Sequence, residues 1–356
     1  MSALPEFLRA LLTSPGAPGQ EGAPVKVWRE EAEGFASSIT TDAMGTPVAL
    51  VDGRADGPLV AVVGHIDEIA VLVSHVTKEG MLKVVSSGGW DPQILVGQRV
   101  DVLTSKGVVP GVAGRKPIHL LEAEERKKAV ELKKLHIDVG ANDADEVAEL
   151  GIRLGDPIVV AAEPVELPHG RIVSRALDNR LGVYVALEAA RKVHEAGGGA
   201  GAIAAVAAVQ EEIGSLGARA MAFGLEPDVA IVVDVTHATD APGVEPGEIG
   251  EHGLGEGPVL SRGAIVSARV NDLLDAAAEA EGIAITTEVS GRATQTDADS
   301  IHLSRSGVPT AILSIPLRYM HSPVELVQMS DVQDAIDVIA AFTLRLEADT
   351  SLSRFG

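Results

Sequence analysis

The chain has 356 residues, 46% hydrophobic and 22% charged, so it can bury a large core and is not a disordered polymer. Its formal charge of −22 argues against a phosphate backbone as partner, and the absence of cysteine excludes disulfides, iron–sulfur clusters, thiolate metal sites and a cysteine nucleophile. No apolar run approaches the roughly 20 residues of a membrane-spanning helix, and Met1 leads into Ser-Ala-Leu-Pro-Glu with no basic or apolar leader, so the expectation is a cytoplasmic protein with no membrane or nucleic-acid partner.

Pro5 suits the first position of a helix ahead of Phe7, Leu8, Leu11 and Leu12, and a second amphipathic run follows at about 25–35. Residues 48–51 and 59–63 are short apolar runs bounded by Pro, Gly and Asp, the pattern of strands buried on both faces; the second stops at Gly64-His65-Ile66-Asp67. From Ile69 to Glu163 the texture changes to strand-like pieces at 81–85, 99–103, 108–109 and 157–161, separated by Gly and Pro turns. A charge-laced helical run at 121–135 and a short helix at 144–150, stopped by Gly151, lie among them. This reads as an inserted β-rich, barrel-like domain at 70–163, interrupting a discontinuous main domain made of 1–69 and 164–356.

After His169 the rhythm lengthens. A helix at 178–195, a strand at 202–209 ending at Gln210-Glu211-Glu212, a helix at 214–223 and a strand at 229–233 ending at Asp234 are expected in turn. A helix at 270–281, strands at 283–289 and 310–315 and a final helix at 331–346 complete the chain. Such alternation predicts an α/β fold with a doubly wound mixed sheet, whose ligands gather outside the carboxyl ends of the strands.

His65, Asp67, Glu211, Glu212, Asp234 and His321 each follow an apolar run or lie in a loop beyond one, and Asp178 opens a helix. Without cysteine, a metal here must sit on imidazole and carboxylate. Two His and three of the carboxylates supply a dinuclear site, in which one carboxylate bridges ions about 3.5–4 Å apart. Asp67 stands two residues beyond His65, on the same side of extended chain, where it can take the second ring nitrogen of that histidine. In extended chain the neighbours Glu211 and Glu212 point to opposite sides, so one is expected to ligate and the other to take the proton of the attacking water.

The other histidines, His75, His119, His136, His169, His194, His252 and His302, read as structural or surface residues, and His237 as a hydrogen-bonded residue near the cleft. The stretch 250–257 lacks the Lys-Ser/Thr of a phosphate loop and reads as a mobile glycine-rich wall of the cleft. Asn179 and Arg180 either support the site or anchor the helix start. Arg318 and the loop 294–299 are candidates to face substrate: a basic residue in the first side-chain pocket would favour acidic substrates, an apolar pocket leucine. The charge of −22 favours neutral or basic amino termini through the long-range field.

Gly64-His65-Ile66-Asp67-Glu68-Ile69, Ala176-Leu177-Asp178-Asn179-Arg180, Glu211-Glu212-Ile213-Gly214-Ser215-Leu216-Gly217, Asp234-Val235-Thr236-His237 and Arg318-Tyr319-Met320-His321-Ser322-Pro323-Val324-Glu325 together resemble the ordered motif set of the tetrahedral di-metal aminopeptidases. That family contains glutamyl, leucyl and lysyl aminopeptidases and is often labelled deblocking aminopeptidase or endoglucanase. The resemblance spans nearly the whole chain. It implies hydrolysis of the N-terminal residue from short peptides, with Asp178 bridging two divalent ions, Zn or Co with Mn also accepted. His65 and Asp234 would complete one site, and Glu212 and His321 the other. Glu211 would be the general base, and Asp67, behind His65, is counted with it as a catalytic residue. The resemblance further implies that the β-rich insert builds homodimers, which assemble into a tetrahedral dodecamer. Two other classes stand beside this one: a metal-independent glycoside hydrolase, which needs carboxyl groups about 5–9.5 Å apart across a sugar, and a non-catalytic assembly or binding protein, which would not need Glu211.

Overall fold

The computed structural model describes residues 4–354, apart from the side chain of Glu248; Met1, Ser2 and Ala3, on which the expectation about a leader rests in part, lie outside the described residues. The chain opens with helices Glu6–Thr13 and Gly22–Ala32, then strands β1 (Ser38–Thr41), β2 (Pro47–Val51) and β3 (Gly57–His65). Six strands follow as a separate body: β4 (Ala70–Val76), β5 (Leu82–Ser87), β6 (Arg99–Thr104), β7 (Gly107–Gly114), β8 (His136–Asp138) and β9 (Pro157–Val160). The remainder returns as β10 (Val165–Leu167), β11 (Arg171–Ser174), β12 (Gly201–Ala208), β13 (Val229–His237), β14 (Val259–Gly263), β15 (Thr286–Ser290), β16 (Thr310–Arg318) and β17 (Glu325–Gln328). Among the described residues, β4–β9 close into a barrel in the order β4-β5-β8-β7-β6-β9. The other strands form an 11-stranded sheet in the order β1-β2-β12-β3-β13-β16-β17-β11-β10, with β14 and β15 branching from β16.

The centre of that sheet is parallel, β12 with β3, β3 with β13 and β13 with β16, while its flanks are antiparallel. Side chains of β3 divide by parity, as a pleated strand requires. Val60 and Val62 join the core under helices Leu177–Glu195 and Met329–Arg345, whereas Ala61 and Val63 join a second core under helix Leu216–Leu225. Helix Leu177–Glu195 is buried along almost its whole length, and the Trp28 indole N–H donates to its Val183 carbonyl at 3.0 Å. The barrel has its own core, with Val71, Leu82, Val100, Val102, Ile137 and Ile158 inside. Among the described residues no helix is long and apolar enough to cross a membrane.

Several local expectations are corrected. The run 121–135 is not a helix: only Ala123–Arg126 winds one turn, closed by a reciprocal cap between Glu122 and Glu125, and Leu132–Lys134 forms a 3₁₀ turn. No residue of either piece is fully buried: Leu132, with Val130 and Leu135 beside it, leans on the barrel core, but the turn at Ala123–Arg126 has no buried face, and helical spacing without one does not sustain a long helix. Pro5 is the residue before its helix rather than the first within it. Strand β13 continues three residues past Asp234, and the helix expected from Gly214 begins at Leu216, because Gly214 and Ser215 take positive φ. Strands β1, β8, β10, β11, β14 and β17 are too short to stand out as apolar runs, whereas β4 is a strand that the expectation omits although residues 70–73 are all apolar.

Candidate metal centre and cleft

Parity carries the two cores directly into the site. His65 continues the Ala61–Val63 row at the end of β3, and Asp234 continues the Ala230–Val232 row of β13, so both side chains emerge on one face of adjacent parallel strands. Asp178 reaches them from the start of helix Leu177–Glu195, where Ala176 is left-handed and Asp178 and Asn179 depart from helical angles. The helix can lie that close because Gly64 faces Gly182: a Cβ on Gly64 would collide with the Gly182 backbone, and one on Gly182 would lie 2.5 Å from the Val233 carbonyl oxygen. Asn179 completes the join, donating to the Val233 carbonyl and accepting the Gly182 N–H, each at 2.8 Å. It is an anchor of the helix start. Arg180 is also one, fully buried and donating to the carbonyls of Leu11 (2.6 Å) and Ser14 (3.0 Å).

The two oxygens of Asp178 face two different imidazoles, Oδ1 lying 3.1 Å from His65 Nε2 and Oδ2 3.3 Å from His321 Nε2. On the first side His65 Nε2 also lies 4.0 Å from Asp234 Oδ1 and 3.7 Å from Glu211 Oε2; on the second, His321 Nε2 lies 3.5 Å from Glu212 Oε1. One donor atom each from His65, Asp178 and Asp234 converges within 4.8 Å, and so does one each from Asp178, Glu212 and His321.

Glu211 and Glu212 do not sit in extended chain. Gln210 is left-handed (φ 58°) and turns the loop after β12, so that both carboxylates enter the cleft, one toward each imidazole. Asp67 holds that turn: fully buried, it accepts the N–H of Glu211 at 3.1 Å on Oδ1 and of Glu212 at 3.2 Å on Oδ2. Its contact with His65 is looser, with the Nδ1 atom 3.3 Å from the Asp67 carbonyl oxygen and 3.5 Å from Oδ1. His321, left-handed at φ 58°, sets its Nδ1 2.8 Å from the carbonyl oxygen of Gly89, which lies beyond the end of β5. The barrel thus touches the site.

Burial and mutual repulsion raise the proton affinity of this cluster. Glu211 is pushed up to about 9 by burial, with Asp234, Asp297 and Glu212 adding and His65 opposing. Burial likewise raises Glu212 and Asp234. Burial would lower both imidazoles, but the facing carboxylates prevail: His65 is raised, and His321 reaches about 11 on its hydrogen bonds to Asp178 and Glu212. Burial would raise Asp178, yet the two imidazoles hold it below its ordinary value. Imidazoles and carboxylates that converge in two such triads, desolvated and in mutual repulsion, are a donor set suited to divalent cations.

Of the other expected residues, His237 lines the cleft of ≈ 640 Å³, as do Thr294, Gln295 and Thr296. Arg318 does not line it. Its guanidinium is occupied by Asp240 in a bidentate pair at 3.0 and 2.5 Å. The glycine-rich stretch is pinned rather than loose, because the N–H groups of Gly255 and Gly257 donate to Asp331 at 2.8 and 3.2 Å. His252 is buried, in keeping with a structural reading. Three residues escaped the sequence reading: Glu325, which accepts the N–H of both Asp178 and His321; Glu68, a buried carboxylate between Arg175 and Arg180; and Glu288, in the cleft wall. Glu68 and Glu325 stand within the motifs quoted above, but nothing in their spacing marks a role.

An α/β sheet that gathers imidazoles and carboxylates at the ends of its parallel strands, with an open cleft above them, defines a metal-dependent hydrolase. Residues 45–338 match the M42 glutamyl aminopeptidase family. The lysyl aminopeptidase of Pyrococcus furiosus is 36% identical over 348 residues, covering 96% of this chain and 97% of that protein. Among solved structures, a TET aminopeptidase from the marine sediment archaeon Thaumarchaeota archaeon SCGC AB-539-E09 superposes with a TM-score of 0.91 at 34% identity, over 96% of each chain. The TET1 peptidase of Pyrococcus horikoshii, described as able to assemble into a tetrahedron or a large octahedral shell, gives 0.85 at 30% identity over 96% of this chain and 99% of that one. The chain belongs to the M42 peptidase family and is a metallo-aminopeptidase.

Proposed function

We propose that the chain removes the N-terminal residue from short peptides at a two-metal centre, with Asp178 shared between the ions, His65 and Asp234 holding one, and Glu212 and His321 the other. The observation that carries this is the placement of the two Asp178 oxygens 3.1 and 3.3 Å from separate imidazoles. Bound there, two divalent ions, Zn or Co with Mn also accepted, would polarise the scissile carbonyl and ease deprotonation of water. Glu211, beside the first triad, takes the proton of the attacking water and delivers it to the departing amine. Asp67 keeps Glu211 and Glu212 at their stations through their backbone amides. Carboxylates that converge on imidazoles, rather than facing one another across an open groove, weigh against the glycosidase alternative.

The same reading assigns residues 70–163 to subunit pairing and, by analogy with a TET1 structure described as a dodecamer, expects a dodecamer of this chain. Light scattering on the eluted protein tests the assembly. The test of the chemistry is release of amino acids from aminoacyl-p-nitroanilides and free-amine peptides before and after chelation, with Zn, Co and Mn restored. Activity that survives complete chelation, or absence of cleavage with every metal, overturns it.

A further inference from the structure

The cleft reaches beyond the metal centre, and its chemistry there is neither basic nor simply apolar. Among the described residues no lysine or arginine lines it. The one arginine that the sequence offered for this purpose, Arg318, is held by Asp240. A carboxylate stands in its place. Glu288, on β15, accepts hydrogen bonds from Thr236 Oγ1 (2.7 Å), from Ser261 Oγ and from Ser314 Oγ (3.4 Å), and all four residues line the cleft.

The strand registers explain how four residues so far apart in sequence meet. Ser261 is paired with Glu288 across β14 and β15, and Ser314 with Asp234 across β16 and β13. Thr236 follows Asp234 by two residues on the same face of β13, a step of about 7 Å along the strand. Glu288 therefore belongs to the part of the cleft one side chain away from the first metal triad. The other acids of the cleft are committed: Asp178, Glu211, Glu212 and Asp234 belong to the triads or stand beside them, and the Asp299 carboxylate closes its own loop by accepting the N–H groups of Thr294 and Gln295 at 2.8 and 2.9 Å.

We infer that Glu288, with the hydroxyls of Thr236, Ser261 and Ser314, forms the end of the pocket for the N-terminal side chain and selects a cationic residue, lysine or arginine. This rests on the aminopeptidase reading above and names the substrate class of that same site. A carboxylate offers about four acceptor positions, and three hydroxyl donors leave one unused while holding the group in place. The hydroxyl oxygens can themselves accept from a charged donor, so an ammonium with three N–H groups finds several acceptors at once. Ile249, Val289 and Met320 add apolar lining against which a methylene stem can lie. An acidic side chain would meet Glu288 with like charge, and leucine would leave its charge without a cationic partner.

The test compares kcat/KM for Lys, Arg, norleucine, Leu and Glu p-nitroanilides on the metal-loaded full-length protein. Lys and Arg are expected at least tenfold above norleucine, the uncharged match to the lysine stem, with Glu the poorest and the Lys advantage shrinking as salt is raised. Glu288→Gln should reduce the Lys-to-norleucine ratio at least tenfold, chiefly through KM, and Glu288→Lys should bring Glu above Lys. A wild-type ratio of Lys to norleucine near or below one overturns the inference without need of any variant, as does a ratio unchanged in a folded Glu288→Gln protein. Metal-restored activity with another preference would sink the pocket assignment and leave the aminopeptidase reading standing; no metal-dependent cleavage of any substrate would remove both.

Discussion

Glu325 and Asp178 are joined by a hydrogen bond in which the buried Glu325 carboxylate accepts the backbone N–H of Asp178 at 3.1 Å. Its other oxygen accepts the N–H of His321 at 2.9 Å, so one side chain fixes the backbone of two proposed ligands that are distant in sequence. Both ligand backbones sit in unusual geometry, Asp178 non-helical within a helix and His321 at positive φ. Glu325 therefore acts as a positioning residue that holds the second triad together.

Replacing Glu325 with Ala should leave two amides without their acceptor and loosen both ligands. Outer partners of metal ligands typically account for about 10–100-fold in metal affinity. That loss is expected here in metal titrations followed by calorimetry, with Glu325→Gln retaining part of the affinity because its carbonyl still accepts one N–H. A variant binding metal as tightly as the parent would show that the backbone holds its shape unaided.

Behind the site, Glu68 lies between Arg175 and Arg180, with all three side chains almost completely buried, and also accepts the Gly16 N–H at 3.1 Å. Removing its charge leaves two guanidinium groups in a desolvated interior, so Glu68→Gln is expected to cost about 3–5 kcal/mol of stability. Denaturant titration measures this. A double variant, Glu68→Gln with Arg175→Met, should recover part of the loss, since it removes one of the uncompensated charges. Additive losses in that cycle would mean that the ion pair is not the cause.

Glu211→Gln tests the assignment of the general base. The amide is nearly isosteric and lies beside the first triad without belonging to either set of donors, so two ions per chain should still bind. Turnover should fall by about 10²–10⁴-fold, the usual contribution of a positioned proton acceptor. Metal content and kcat measured on the same preparation decide the matter. Full activity would exclude Glu211 as the base, and joint loss of metal and activity would recast it as a ligand.

How much of this was visible in the sequence follows from where the information lies along the chain. His65, Asp234 and the pair Glu211–Glu212 stand at the ends of apolar runs, and because the runs become parallel neighbours β3, β13 and β12, their ends coincide in space. Alternation then gives side-chain direction, which holds for His65 and Asp234 but fails for Glu211 and Glu212, since a single left-handed residue, Gln210, cannot be read from a hydrophobic pattern. The run 121–135 misled for the complementary reason: its spacing is helical, but only its end, Val130, Leu132 and Leu135, meets the barrel core, and nothing buries the turn at Ala123–Arg126. Glu288 left no trace at all. Its significance arises from Thr236, Ser261 and Ser314, brought together by the registers of β13 to β16, and nothing local to residue 288 encodes that meeting.

In chelated protein the buried cluster has a pH dependence with a definite sign. Burial, reinforced by neighbouring carboxylates, raises Glu211 from 4.5 to about 9, so the folded metal-free chain keeps a proton that the unfolded chain releases. The stabilisation is complete below pH 4.5 and is lost as the pH climbs through about 9. His321, raised from 6.5 to about 11 by its hydrogen bonds to Asp178 and Glu212 against the effect of burial, acts in the same sense: its contribution is full below 6.5 and disappears toward about 11. Divalent ions need the deprotonated ligands, so metal binding strengthens as the pH rises. The Tm of chelated protein should therefore fall between pH 6 and 9 by more than the Tm of metal-loaded protein, and the gap between the two should widen. The general self-repulsion of a chain with charge −22 also lowers stability at high pH, but it affects Glu211→Gln equally. The chelated Glu211→Gln protein should accordingly show a shallower fall than the chelated parent. Identical slopes would place the titrating protons elsewhere, and a chelated parent whose Tm rises over this range would contradict the proton-loaded cluster altogether.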